Sequence, residues 1–95
     1  MDDNSHNIKI ILERFLRREN LMERFENEEI IFQFKRIVGG SLLKYIEKAK
    51  FKDGVIYLKL SSSVLKSEIS YEKTQIIEDI NTRMKRRLVK EIRFE

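Results

Sequence analysis

The chain predicts an α+β fold: N-terminal helices, then α-β-β-α-β, with a three-stranded sheet covered by helices on one face. Three observations predict it. The dipeptide Asp53-Gly54 sits between two runs of alternating apolar and polar residues, the pattern of a β-hairpin. Apolar residues at helical spacing lie on both sides of that hairpin. A last alternating run ending at Phe94 supplies a strand that returns beside the hairpin after a helical crossover.

The elements follow in order. Ile8, Ile11, Leu12, Phe15 and Leu16 mark an amphipathic helix over about residues 7–19, with Asn7 or Ser5 as its cap. Leu21, Met22 and Phe25 make a short apolar turn or second helix. Ile30, Ile31, Phe34, Ile37 and Val38 then share one face of a further helix, led by acidic residues and closed by basic ones, as the helix dipole favours. Gly39 and Gly40 end or interrupt it, and Leu42, Leu43 and Ile46 carry the apolar pattern onward. A type I′ turn at Asp53-Gly54 sets the hairpin register: Lys52 faces Val55, Phe51 Ile56, Lys50 Tyr57, Ala49 Leu58 and Lys48 Lys59. Ala49, Phe51, Ile56, Leu58 and Leu60 then point to the core, while Lys48, Lys50, Lys52, Val55, Tyr57 and Lys59 point to solvent. Leu65, Ile69, Ile76, Ile77, Ile80 and Met84 fit a long helix over about 64–85, and Leu88 to Phe94 reads as the third strand. The expected core is Phe34, Ile37, Phe51, Ile56, Leu58, Leu65, Ile69, Ile80, Ile92 and Phe94.

Composition narrows the function. Ninety-five residues, 41% of them hydrophobic, make one domain with a modest core. The absence of cysteine excludes disulfides, Cys-type zinc sites and thiol chemistry, and fits a reducing cytoplasm. The start, MDDNSHN, is polar and acidic, unlike a signal peptide, and no apolar run is long enough for a membrane span. Charge is unevenly spread. Residues 1–34 carry five basic and eight acidic groups, net −3, and residues 35–95 carry fifteen and eight, net +7. The densest stretch is RMKRRLVKEIR at 83–93, with six basic groups against Glu91. That gradient suits a polyanion partner, although a solvated face has the same look.

The chemistry of reaction is missing. Ser61, Ser62 and Ser63 have no base, because the single histidine is His6, and no G-x-S-x-G elbow frames them. Ser62 or Ser63 is read as a helix cap. Gly39-Gly40 lacks a phosphate-loop pattern, and Glu28-Glu29 and Glu78-Asp79 are adjacent pairs whose side chains diverge on helices. No enzyme, cofactor or metal is expected. What remains is surface. Lys48, Lys50, Tyr57 and Lys59 on the open sheet face suit phosphate contacts and base stacking, beside the bland reading of edge lysines that oppose aggregation. Arg83, Lys85, Arg86, Arg87, Lys90 and Arg93 cluster after the last helix, more cations than its dipole accounts for. Arg93 is expected beside Tyr57 and Lys50, Arg86 and Arg87 at the rim, and the acidic N-terminal helices away from this surface.

Four pieces in register give the chain a family resemblance. They are F-x-x-IVG at Phe34–Gly39, DGV at Asp53–Val55, SS-x-L-x-x-x-I at Ser62–Ile69 and N-x-x-M-x-x-x-x-V-x-x-I-x-F at Asn81–Phe94. Together they resemble the bacterial DciA-type family over about residues 28–95, whose pattern is W-x-x-IVG, a DG hairpin, SS-x-W-x-x-x-L and N-x-x-LG-x-x-x-V-x-x-I-x-F. Here Phe34 and Leu65 stand at the two aromatic positions and Lys85 at the glycine. The resemblance implies a KH-like core over 28–95, an N-terminal helical extension over 1–27, and no GxxG clamp. It also implies binding of single- or double-stranded DNA and assistance to a DnaB-type replicative helicase. Many members carry a flexible extension; none follows Glu95 in this sequence, and a helicase contact of that kind is not expected here. Two alternatives stand beside it: a KH-like RNA-binding module linked to translation, and a protein-interaction domain that binds through the acidic N-terminal helices. No membrane or small-molecule partner is expected.

Overall fold

The computed structural model describes residues 3–95, with side chains for residues 8–12 and 21–95. Its first element corrects the expectation of separate N-terminal helices. Helix α1 runs unbroken over Asp3–Val38. Its start lies upstream of Ser5 and Asn7, so neither caps it. No glycine or proline occurs before Gly39, and the stretch RRENLMERFENE is mostly Arg, Glu, Leu and Met, which favour helix. The apolar pattern changes face along α1, and that shift of phase looks like a break in the sequence. Gly39, with φ at 101°, ends the helix, and a short 3-10 turn over Gly40–Tyr45 leads into the sheet.

Strands β1 (Ile46–Lys52) and β2 (Val55–Leu60) form the hairpin in the expected register, from Lys52 opposite Val55 to Lys48 opposite Lys59. Asp53 and Gly54 take φ of 50° and 82°, as a type I′ turn requires at both positions. Between Ile46 and Lys48 the register shifts by a bulge, which restores Ile46 opposite Leu60.

Helix α2 covers Ser63–Met84. The cap is Ser62, whose Oγ accepts from the Leu65 N–H at 3.1 Å, while Ser61 holds the Tyr45 carbonyl across the start of the hairpin. Ser62→Ala should lower stability by about 0.5–2 kcal/mol in a denaturant titration, and Ser63→Ala should do much less. At the other end Lys85 adopts the left-handed conformation, φ 60°, and its N–H closes on the Asn81 and Thr82 carbonyls. A lysine pays a steric penalty there that glycine escapes. Lys85→Gly should therefore raise stability, by about 1 kcal/mol, in the same titration.

Strand β3 is Glu91–Phe94, three residues shorter than the expected run from Leu88. The reason is Asn81. Its Oδ1 accepts from the Leu88 and Val89 N–H groups at 3.0 and 2.9 Å, and its Nδ2 donates to the Val89 carbonyl at 2.9 Å. Those backbone groups are therefore engaged by a side chain instead of a neighbouring strand. Pairing starts where Glu91 comes opposite Val55.

The sheet order is β1-β2-β3, with β1 antiparallel and β3 parallel to β2, so β2 is central and α2 is the crossover. Helices α1 and α2 lie on one side. Their facing residues join the inner sheet face in a core of Ile30, Phe34, Ile56, Leu58, Leu65, Ile69, Ile76, Ile80, Val89 and Ile92. Ile37, Phe51 and Phe94, also expected in the core, are only half-buried against it. Phe51 lies on edge strand β1 and Phe94 at the end of edge strand β3, where a neighbour is missing on one side. No buried side-chain nitrogen or oxygen lacks a partner among the described residues.

Candidate nucleic-acid interface

The face of the sheet turned away from the helices collects one set of the expected residues. Alternation along three strands places them: Lys50, Tyr57 and Arg93 occupy neighbouring positions on β1, β2 and β3 and so form a row across the sheet. Lys48 and Lys59 face each other in the next row, and Lys52 lies by the turn. The four lysines are exposed, and Tyr57 is half-buried between the cations of its row. Arg93 is not free of countercharge. Its Nη2 is 3.1 Å from Oε2 of Glu91, two positions earlier on the same face. The hydrogen bond that Arg93 donates to Glu91 and the charge of that carboxylate, with a smaller contribution from Tyr57, raise the Arg93 pKa above its already high value, so the guanidinium stays charged. Five cations thus share this face with Glu91 and Glu95.

The second set gathers around the C-terminal end of α2. Lys85, Arg86, Arg87 and Lys90 line a shallow basin of about 840 Å³ with Glu78, Asn81 and Thr82. The stem of Lys90 passes over Gly54, where any side chain would meet it, so this set adjoins the sheet lysines only at the hairpin turn. Arg83 and Arg86 also reach α1. Arg83 donates to Oε1 of Gln33 at 3.1 Å, and Arg86 Nη1 pairs with Oε2 of Glu26 at 2.7 Å. The acidic N-terminal segment therefore does not lie away from the basic residues. Because α1 is one unbroken helix that runs antiparallel to α2, its middle passes the end of α2 and neutralises part of that cluster. The same stretch of α1, through Glu23, Arg24 and Glu28, walls a trough of about 740 Å³ against Lys50, Phe51 and Tyr57.

This arrangement can hold an extended polyanion across an open sheet with one aromatic ring available for stacking. The family model described as Dna[CI] antecedent, DciA, matches residues 7–94. The chain belongs to the DciA family. The match takes in most of α1, beyond the part from residue 28 that the motifs alone indicate. No curated protein and no solved structure matches the chain significantly. Membership of DciA carries a replication-related role.

The residues that carry the DciA resemblance turn out to build the fold. Phe34 is fully buried and Leu65 nearly so, Asn81 ties down the loop before β3, and Lys85 fills the left-handed position that the family's glycine suits. Apart from Lys85, the basic groups of the two sets occupy variable positions of those motifs or lie between them. Two more cations escape sequence reading: Lys66 and Lys73 hold their ammonium groups 5.5 and 5.0 Å from the Phe94 ring centre, over the open edge of β3. Their seven-residue spacing, two helical turns, is the one sequence signal that could have paired them. No helix among the described residues is long and apolar enough to cross a membrane.

Proposed function

We propose that this DciA protein is a DNA-binding accessory factor that assists loading of the DnaB-type replicative helicase, and that DNA lies on the open face of its sheet. The observation that carries this reading is the row Lys50–Tyr57–Arg93, flanked by Lys48, Lys52 and Lys59, on the sheet face away from the core and bordered at the β1 edge by Glu23, Arg24 and Glu28 of α1. Lysine and arginine neutralise successive phosphates and release counterions, while an aromatic between them stacks a base of an unpaired strand. Contacts of this kind favour affinity over sequence recognition, which suits a factor that must act wherever the helicase is to be placed. The reading assigns binding and positioning, with no bond-making step, no cofactor and a cytoplasmic site of action.

The family supplies the helicase part of the proposal and the sheet face supplies the DNA part, and the two are separable by experiment. Tagged chain expressed in its native cell should bring down the replicative helicase, and nuclease treatment of the lysate should leave that capture intact. Capture of ribosomal proteins in place of helicase would favour the RNA-binding alternative.

A further inference from the structure

Strand β3 ends the sheet on one side, and its outer edge pairs with no other strand. Glu91 and Glu95 donate to the carbonyls of Gly54 and Leu58, so these alternate positions face β2. The backbone N–H and C=O groups of Ile92 and Phe94 therefore point away from the sheet, spaced as a strand would need them.

The cations at this edge come from α2. Lys66 and Lys73 bring their ammonium groups to 5.5 and 5.0 Å from the centre of the Phe94 ring. Phe94 points to the helix side of the sheet, opposite to Tyr57, so the pair is separate from the basic row on the open face. The ring attracts each ammonium but adds no net negative charge. The residues one helical turn from the two lysines are Ser62, Ser63, Ile69, Ser70, Ile76 and Ile77, none of them acidic. Neither lysine pairs with a carboxylate among the described residues. Glu68 and Glu72 instead border the slot between α2 and the end of α1. The charge of the pair is uncompensated.

A free strand edge beneath two uncompensated cations specifies a ligand. Phosphate groups would answer the lysines, but they carry no donor for the outward carbonyls of Ile92 and Phe94. An extended peptide supplies both partners: its backbone continues the ladder, and its carboxylates reach the ammonium groups. Strand alternation puts those acidic residues at every second position, on the side facing α2. We propose that the β3 edge accepts an extended acidic segment of a partner protein as a fourth strand, with Lys66 and Lys73 holding its carboxylates. A few ladder hydrogen bonds and two ion pairs make a weak, transient contact. The added strand widens the sheet sideways and leaves its open face to DNA.

The probe is a short blocked peptide of alternating threonine and glutamate, added to the isotope-labelled full chain and followed by NMR. The amides of Ile92 and Phe94 and the side chains of Lys66 and Lys73 should shift, and hydrogen exchange at those two amides should slow. A peptide with glutamine in place of glutamate should bind several-fold more weakly. The chain carrying Lys66→Glu and Lys73→Glu together should lose the acidic peptide and gain one of alternating threonine and lysine, a gain that unfolding cannot produce. Equal binding of the glutamate and glutamine peptides, or no binding at millimolar concentration, overturns the proposal. So does a shift of the lysine side chains alone, which would mean an anion held without an added strand. A single-stranded oligonucleotide that shifts the same four residues when the peptide does not would make the pair a nucleic-acid contact, and overturns it as well.

Discussion

Phe34→Ala should lower the stability of the chain by about 3–5 kcal/mol, measured as a shift of the urea midpoint at unchanged slope. Phe34 is fully buried in the same cluster as Ile30, Ile56, Leu58, Ile80 and Ile92, the largest side chain in it. Its removal takes away both the transfer of a ring from water and the packing around it, because two helices resting on a sheet cannot collapse freely onto the gap. A domain of this size has a total stability on the order of 5–15 kcal/mol, so the variant should populate unfolded chains near physiological temperature. Phe32, two residues away on the same helix, is the control. It is 51% exposed, with the Arg36 guanidinium 5.8 Å from its ring centre. Phe32→Ala should stay within about 0.5 kcal/mol of the parent. Equal effects at the two positions would mean that α1 does not seat on the sheet through Phe34.

The second large effect is on binding. Replacing Lys48, Lys50 and Lys59 together by glutamine should lower affinity for DNA and flatten the dependence of log K on log salt by about 2–3, from three lost phosphate contacts. The matching change at the end of α2, Lys85, Arg86 and Arg87 to glutamine, should have a smaller effect, because Arg86 already has Glu26 as its partner. Tyr57→Ala should weaken single-strand binding by roughly 1–3 kcal/mol and leave duplex binding nearly unchanged, since only an unpaired base can stack on the ring. Fluorescence anisotropy over a salt series reads all three.

Particular residues show how far the sequence reaches. The hairpin was legible to the single pair, because Asp53-Gly54 fixes the turn and period-two alternation fixes the faces; that placed Lys50, Tyr57 and Lys59 on the open side without coordinates. Ser62 as a cap was legible to within one residue for a similarly local reason. What escaped depends on contacts between distant positions. Asn81 ends the loop before β3 with three hydrogen bonds spanning seven or eight residues, and nothing in the pattern of Leu88 and Val89 announces that their N–H groups are taken. The pair of Arg86 with Glu26 joins residues 60 apart, so the partial neutralisation of the C-terminal cluster could not be read from its own charges. The continuity of α1 escaped for the opposite reason: backbone propensity was uniform while the apolar pattern, the stronger signal, shifted phase. The DciA motifs located the fold and said nothing of the binding face, because their residues are buried or capping ones.

The central claim is that DNA lies across the open face of the sheet, and photocrosslinking tests it most directly. A single-stranded oligonucleotide carrying bromodeoxyuridine, irradiated with the full chain at low salt and mapped by mass spectrometry of the digest, should attach to Tyr57 or to peptides of β1 and β3. Crosslinks confined to α1 or to the residues after α2, with Tyr57 unmodified, would contradict the account.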